Sequence, residues 1–140
     1  MVKRIFVAAA IVILLAGPGW AGAAGDYNFI SAQALKERID GGSSPMIIDI
    51  CPAEQFAGGH IKGAIETNAY PVKTVAERAR LAEQLARIKA SADQVVIICP
   101  RGAGGAKRAY DFYQAHGVEK SRLLILEKGM NGWPYEKEKK

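Results

Sequence analysis

The 140-residue sequence has only two cysteines and two histidines, and it contains no Cys-x-x-Cys pair. So few cysteines exclude a small domain held together by several disulfides. The cysteines and histidines are not spaced like the ligands of a structural zinc site; they are Cys51, His60, Cys99 and His116. We therefore expect no metal, and no other cofactor. The two cysteines form one disulfide or serve as two reactive thiols, and their number alone does not decide which.

The chain also lacks a strong excess of one charge. Its formal net charge is +5, and acidic residues are interspersed among the basic ones, as in AERARLAEQLARIKA at 76–90. This pattern excludes the basic surface that nucleic-acid binding requires, while the small positive excess favours small anions modestly. The basic and acidic run at 136–140 is predicted to be a solvated tail.

No apolar run is long enough to cross a bilayer comfortably. The longest, Ile5–Ala16, follows Lys3 and Arg4, and a glycine–proline pair and small residues come after it. This is the anatomy of a secretory signal peptide, which predicts residues 1–23 as a signal cleaved near Ala23 and an exported, periplasmic protein. An uncleaved N-terminal anchor fits the short apolar run less well.

The remainder, residues 24–140, alternates apolar runs with helical patterns. Buried strands are predicted within 45–51, 94–99 and 122–127, a short strand over Ala64–Asn68, and helices over 31–40, 74–90 and 105–116. Ser31 is the expected N-cap of the first helix, and Thr74 with Glu77 forms a capping box on the second. Strands that are apolar on both faces predict one α/β domain with a mainly parallel sheet and helices on both sides.

The segment VVIICPRGAGGAKRAYDFY, residues 95–113, ends a buried strand on Cys99 and continues through a glycine-rich turn into a helix beginning near Gly105. Ligands of open α/β sheets bind outside the carboxyl ends of the strands, where this cysteine is placed. Glycines let backbone N–H groups point inward, and the helix start adds its positive dipole end. These groups favour the nucleophilic thiolate form of the cysteine. A buried structural cysteine explains the glycines less well, and a phosphate-binding loop would end in Gly-Lys-Ser/Thr.

Three segments, in order, resemble the rhodanese-like family of single-domain sulfurtransferases. IIDICPAEQFAGGHIKGAI is similar to the family's Asp-Val-Arg…Gly-His-Ile-x-Gly-Ala segment, and LILEKGMNGW to its closing Gly-Gly-Met/Phe-x-x-Trp. VVIICPRGAGGAKRA is similar to the active-site segment, with Cys99 in the position of the persulfide-forming cysteine. The resemblance implies a rhodanese-like domain over 24–140, with a mainly parallel five-stranded sheet between helices.

The resemblance also implies an activity. The thiolate of Cys99 would take sulfane sulfur from polysulfide or thiosulfate as a persulfide and pass it to a thiophilic acceptor. The implied substrate-binding residues follow it in the loop and helix: Pro100, Arg101, Gly102, Ala103, Gly104, Gly105 and Lys107. The implied partners are small inorganic sulfur anions and a protein that donates or accepts sulfur, with no nucleic acid and no stable membrane span.

Two positions depart from the family pattern. The family loop, Cys-x-x-Gly-x-Arg, has the length seen here rather than the longer loop of related phosphatases, but Gly104 stands where it has arginine. Arg101 and Lys107 are the candidates to replace that anion-binding side chain. Cys51 stands where the family has another arginine, and the resembled fold places it beside Cys99, so it is a candidate resolving thiol or a filler of apolar space. A non-catalytic sulfur carrier or partner-binding module and a dithiol redox protein therefore stay open as alternatives.

Other polar residues are expected to be structural. Asp49 is expected to accept hydrogen bonds from loop N–H groups rather than to tune a thiol. His60 is expected to bond within its own turn, and Tyr110 and Tyr113 to pack against the core.

Overall fold

The computed structural model describes residues 26–140, and the predicted signal segment lies outside them. Five strands form one sheet in the order β1-β5-β4-β2-β3, and every neighbouring pair is parallel. Their bounds are β1 Phe29–Ile30, β2 Met46–Asp49, β3 Ile65–Glu66, β4 Val95–Ile98 and β5 Leu123–Leu126. The predicted α/β fold is confirmed, with β3 shorter than the strand expected over Ala64–Asn68.

Five α-helices connect and cover the strands: α1 Ala32–Asp40, α2 Ala53–Gly58, α3 Val75–Ala82, α4 Leu85–Lys89 and α5 Gly104–Ala115. Two 3₁₀ turns follow, Lys120–Arg122 and Met130–Gly132. The predicted caps are present, because Ser31 accepts a hydrogen bond from the N–H of Ala34 and Thr74 forms a reciprocal capping box with Glu77. No helix within 26–140 is both long and apolar enough to span a membrane.

The single helix expected over 74–90 is divided. The N–H of Gln84 donates to the carbonyl of Leu81, three residues back, and this tighter turn separates α3 from α4. Leu81 and Ile88, one on each side of the break, are both fully buried. The segment after β2, for which the sequence predicts no helix, contains the short helix α2, which buries Phe56.

The backbone of the C-terminal run, residues 136–140, is hydrogen-bonded to the rest of the domain. The prediction of a solvated tail, which came from its charge, is therefore wrong for the backbone. His60 and Glu138 exchange two backbone hydrogen bonds of 2.9 and 2.8 Å, and the N–H of Lys140 donates to Ala57 over 3.0 Å. The Lys140 ammonium lies 2.7 Å from the Glu66 carboxylate. The charged side chains stay largely exposed, and the backbone pairs with backbone groups at the end of α2 and just after it.

The core has two layers, one on each face of the sheet. Alternate residues of the strands point to opposite faces, so Ile97 packs with α3, α4 and α5 while Ile98 packs with α1 and Trp133. The same alternation continues past the strand ends. Cys99 belongs to the layer of α5, and Cys51 belongs to the layer of α1.

Candidate active site around Cys99

Cys99 comes directly after β4, the middle strand of the sheet, with β2 on one side and β5 on the other. It therefore lies at the carboxyl edge, where ligands of parallel sheets bind. Only 1% of the residue is exposed, but it forms part of the wall of a cavity that opens between the following loop and the segment around Tyr70. Cys99 therefore borders on a space open to solvent.

A backbone amide of the loop points at the sulfur. The N–H of Gly102 donates a hydrogen bond of 3.0 Å to the Sγ of Cys99. Gly102 has a φ of +69°, and a Cβ on it would lie 2.6 Å from the carbonyl oxygen of Leu126. Only glycine fits this turn, which holds a donor against an atom that becomes negative when the thiol ionises.

The start of α5 adds further free donors beside the sulfur. The helix begins at Gly104, and Ala103 caps it without a side-chain hydrogen bond. Within residues 26–140 the backbone N–H groups of Arg101, Ala103 and Gly104 have no hydrogen-bond acceptor. Unpaired N–H groups at the positive end of a 12-residue helix attract an anion into this space.

The cavity is about 280 Å³ in volume, large enough for a small anion with some water. Among residues 26–140, three basic residues line it, Lys73, Arg101 and Arg108, and no acidic residue does. The ring of Tyr70 forms one wall and lies against the loop so closely that a Cβ on Gly105 would be 2.8 Å from it. The lining is therefore positive in both its side chains and its free amides.

A family model for the rhodanese-like domain matches residues 31–136, which is most of the chain. The chain belongs to the rhodanese-like domain family. No curated protein matches its sequence.

Solved structures agree with the fold of this rhodanese-like domain. A rhodanese-like domain protein from Staphylococcus aureus is 22% identical with a TM-score of 0.62, covering 81% of this chain and 98% of its own. A yeast protein tyrosine phosphatase of the rhodanese family is 16% identical with a TM-score of 0.60, covering 79% of this chain and 86% of its own. A thiosulfate sulfurtransferase from Pseudomonas aeruginosa is 18% identical with a TM-score of 0.59, and the match covers 81% of this chain but 20% of that one. Neighbours with different reactions leave the activity to be argued from the site.

Of the residues expected to bind substrate in this rhodanese-like domain, some line the cavity and others do not. The cavity lining includes Arg101, Ala103, Gly104 and Gly105 beside Cys99. Pro100 and Gly102 are not among the lining residues and instead hold the loop in place. The carbonyl of Pro100 accepts a 2.9 Å hydrogen bond from the N–H of Asn131, and the N–H of Gly102 donates to the sulfur of Cys99. The ammonium of Lys107 is directed elsewhere, 5.4 Å from the centre of the Tyr27 ring.

Four residues of the cavity wall were not predicted from the sequence: Tyr70, Pro71, Lys73 and Arg108. The first three come from the connection between β3 and α3, whose path over the loop no local pattern reveals. A signal did exist for Arg108, because it follows Gly104 by one helical turn and so shares its face of α5.

Cys51 lies in a different environment from Cys99. It is 1% exposed and packs in the opposite layer, although β2 and β4 are adjacent as expected. Both cysteines are free thiols. Burial, and next the carboxylate of Asp49, raise the pKa of the Cys51 thiol, so the thiolate needed for a resolving step is disfavoured there. Its role as a resolving thiol stays a prediction.

His60 has the contact within its own turn that is expected of it, whereas the expectation for Asp49 is met only in part, because its carboxylate also raises the pKa of the Cys51 thiol. Asp49 is fully buried and one carboxylate oxygen accepts a 2.9 Å hydrogen bond from the N–H of Cys51, while burial raises the pKa of the carboxyl. The Nδ1 of His60 is 2.9 Å from the carbonyl of Phe56 in its own turn. Tyr110 and Tyr113 are fully buried. No group of three or more metal-ligating side chains occurs among residues 26–140.

Proposed function

We propose that this protein is a sulfurtransferase that carries sulfane sulfur as a persulfide on Cys99. The observation that carries the proposal is the Gly102 N–H held 3.0 Å from the Cys99 sulfur, in a cavity lined by basic side chains. An N–H donor in this position can hydrogen-bond the negative sulfur of a thiolate or a persulfide. The same cavity admits an anionic donor to the sulfur it must react with.

The reaction needs only groups that the site supplies. With thiosulfate as donor, the Cys99 thiolate attacks the outer sulfur, the S–S bond of thiosulfate breaks, and sulfite leaves with the bonding electron pair. The product is a persulfide anion on Cys99, and total charge is conserved. A thiophile such as cyanide then attacks the terminal sulfur, leaves as thiocyanate and returns the thiolate.

The lining of the cavity favours sulfur transfer over the hydrolysis of a phosphate ester. Cleavage of a phosphate ester by a thiolate leaves an alkoxide or phenoxide, which a positioned acid group protonates. Within the part of the chain that the structure describes, the cavity is lined by no aspartate, glutamate or histidine. Sulfite needs no proton to leave, so sulfur transfer requires no such acid.

We also propose that the protein is exported, because residues 1–23 have the pattern of a signal peptide. Its partners would then be small inorganic sulfur anions and a protein donor or acceptor of sulfur in the same compartment. The mass of the protein recovered from a periplasmic fraction tests this. A chain that begins after Ala23 supports export, and the full-length chain in the cytoplasmic fraction contradicts it.

The activity is tested by following thiocyanate production from thiosulfate and cyanide. We expect repeated turnover by the wild type, no sulfur transfer by Cys99→Ala, and transfer by Cys51→Ala. Release of a single equivalent from persulfide-loaded protein would instead indicate a carrier. Full activity in Cys99→Ala would contradict the proposal.

A further inference from the structure

Arg108 lies in the cavity in a fixed position. It is half-buried on α5, and its Nε donates a 2.8 Å hydrogen bond to the carbonyl of Pro71. That bond uses the inner nitrogen of the guanidinium. The two terminal nitrogens are not used by it, and the residue shares the cavity wall with Cys99.

No carboxylate among the residues that the structure describes neutralises this guanidinium. Within residues 26–140 Arg108 forms no ion pair, its terminal nitrogens have no hydrogen-bond acceptor, and the cavity that it lines contains no carboxylate. An arginine side chain presents paired N–H donors that match the oxygens of an oxyanion. Arg108 therefore offers free donors to an anion that enters the cavity.

The guanidinium also occupies the space above Gly104. A Cβ on Gly104 would lie 3.0 Å from one terminal nitrogen of Arg108 and 3.6 Å from the other. A side chain at that loop position would therefore push the guanidinium aside by at least a few tenths of an ångström. The glycine and the arginine one turn later form a matched pair, in which the absence of a side chain at 104 makes room for the one at 108.

We infer that Arg108 supplies the anion-binding guanidinium of this site from within α5, in place of a side chain at loop position 104. The inference rests on the proposed function and names how that site selects its donor. The terminal nitrogens of Arg108 hold oxygens of an oxyanionic donor such as thiosulfate, which leaves its outer sulfur free to meet Cys99. No covalent bond changes in this binding step.

Thiosulfate binding to Cys99→Ala, which cannot form a persulfide, tests the inference without any activity. We expect adding Arg108→Gln to weaken binding, measured by calorimetry, by about ten- to a hundredfold, since a hydrogen bond to a charged group is lost. Arg87→Gln removes the same charge at an exposed site on α4 and should not weaken binding. Equal affinity with and without Arg108 would overturn the inference.

A second variant leaves Arg108 and its bond to Pro71 in place. Gly104→Ala crowds the guanidinium, so we expect it to weaken thiosulfate binding in the Cys99→Ala protein but to add nothing once Arg108 is glutamine. Equal effects of Gly104→Ala with arginine or glutamine at 108 would contradict the pairing. Because both tests read binding alone, they can fail while sulfur transfer stands.

Steady-state kinetics distinguishes the role of Arg108 from the proposed sulfurtransferase activity. In the Cys99 protein we expect Arg108→Gln to raise the KM for thiosulfate by about tenfold or more, while saturating polysulfide still loads Cys99 with sulfur. An unchanged KM overturns the role of Arg108 but leaves the sulfurtransferase proposal intact. Failure of polysulfide to load even the wild type overturns the proposed function.

Discussion

The backbone of Gly129 lies directly against the carbonyl group of Cys99. A Cβ on Gly129 would lie 2.2 Å from that oxygen and 2.6 Å from the N–H nitrogen of Arg101. The next residue, Met130, donates a 2.8 Å hydrogen bond to the same carbonyl. The turn after β5 therefore clamps the reactive loop from behind, with no room for a side chain.

Gly129→Ala should disturb this clamp and impair sulfur loading of Cys99. Gly129 has a φ of +60° and a ψ of −160°, a backbone region that essentially only glycine occupies, so alanine is expected to cost about 1–3 kcal/mol in backbone strain, with a further loss from the clash. Urea unfolding and persulfide formation measure the two effects. Gly42→Ala is the matched control, because Gly42 has a φ of +76° and open space around it. Wild-type loading in Gly129→Ala, with stability equal to that of Gly42→Ala, would contradict the clamp.

Cys51→Ala should keep sulfur transfer and lose a little stability. Its thiol is buried in the layer opposite Cys99, and burial together with Asp49 raises its pKa, so the thiol is a poor attacking group at neutral pH. Removing one buried sulfur atom is expected to cost on the order of 1 kcal/mol in the free energy of unfolding. Turnover with thiosulfate and cyanide is the measurement. A folded Cys51→Ala protein that loads Cys99 but cannot discharge it would establish a resolving role.

Asp49→Asn should change how stability depends on pH. Burial raises the pKa of this carboxyl above its ordinary 3.8, so the folded protein binds more protons than the unfolded chain once the pH rises past that value. The contribution to stability is full below 3.8 and is lost as the pH rises through the folded-state pKa.

Asparagine does not titrate, so Asp49→Asn should gain stability relative to the wild type as the pH is raised from below 3.8 to neutral. Denaturant unfolding at several pH values gives the comparison. Asp93→Asn makes the same chemical change at an exposed position. A constant difference between Asp49→Asn and the wild type across this range would show that the buried carboxyl does not behave as described.

Arg101→Gln should raise the KM for thiosulfate more than Lys107→Gln does. Arg101 lines the cavity beside Cys99, whereas the ammonium of Lys107 lies over the ring of Tyr27. Arg101 is exposed, so its attraction for an anion is screened by water and we expect a change of only a few-fold. Kinetics of both variants at one ionic strength provide the test, and the opposite order would show that Lys107 swings into the cavity.

Local patterns were enough to predict the strand, the loop and the helix around Cys99. The apolar run of β4, the glycines and the amphipathic helix are adjacent in the chain, so their order fixes where the cysteine lies. The same holds for the cap at Thr74, which depends on Glu77 three residues away.

What the sequence did not reveal depends on contacts between distant segments. Arg108 acquires its position from Pro71, and the C-terminal run acquires its place from His60 and Ala57. The break between α3 and α4 likewise has no glycine or proline to mark it in the sequence. These features could not be predicted from the sequence because they depend on how the chain crosses the sheet.

The sulfur atom proposed to be carried by Cys99 can be located directly. Wild-type protein is treated with polysulfide, freed of excess reagent, alkylated and digested, and its peptides are weighed by mass spectrometry. We predict the added mass of a sulfur atom on the peptide that contains Cys99, and none at that position in Cys99→Ala. Sulfur found on Cys51 instead, or on no cysteine while the protein is folded, would contradict the account.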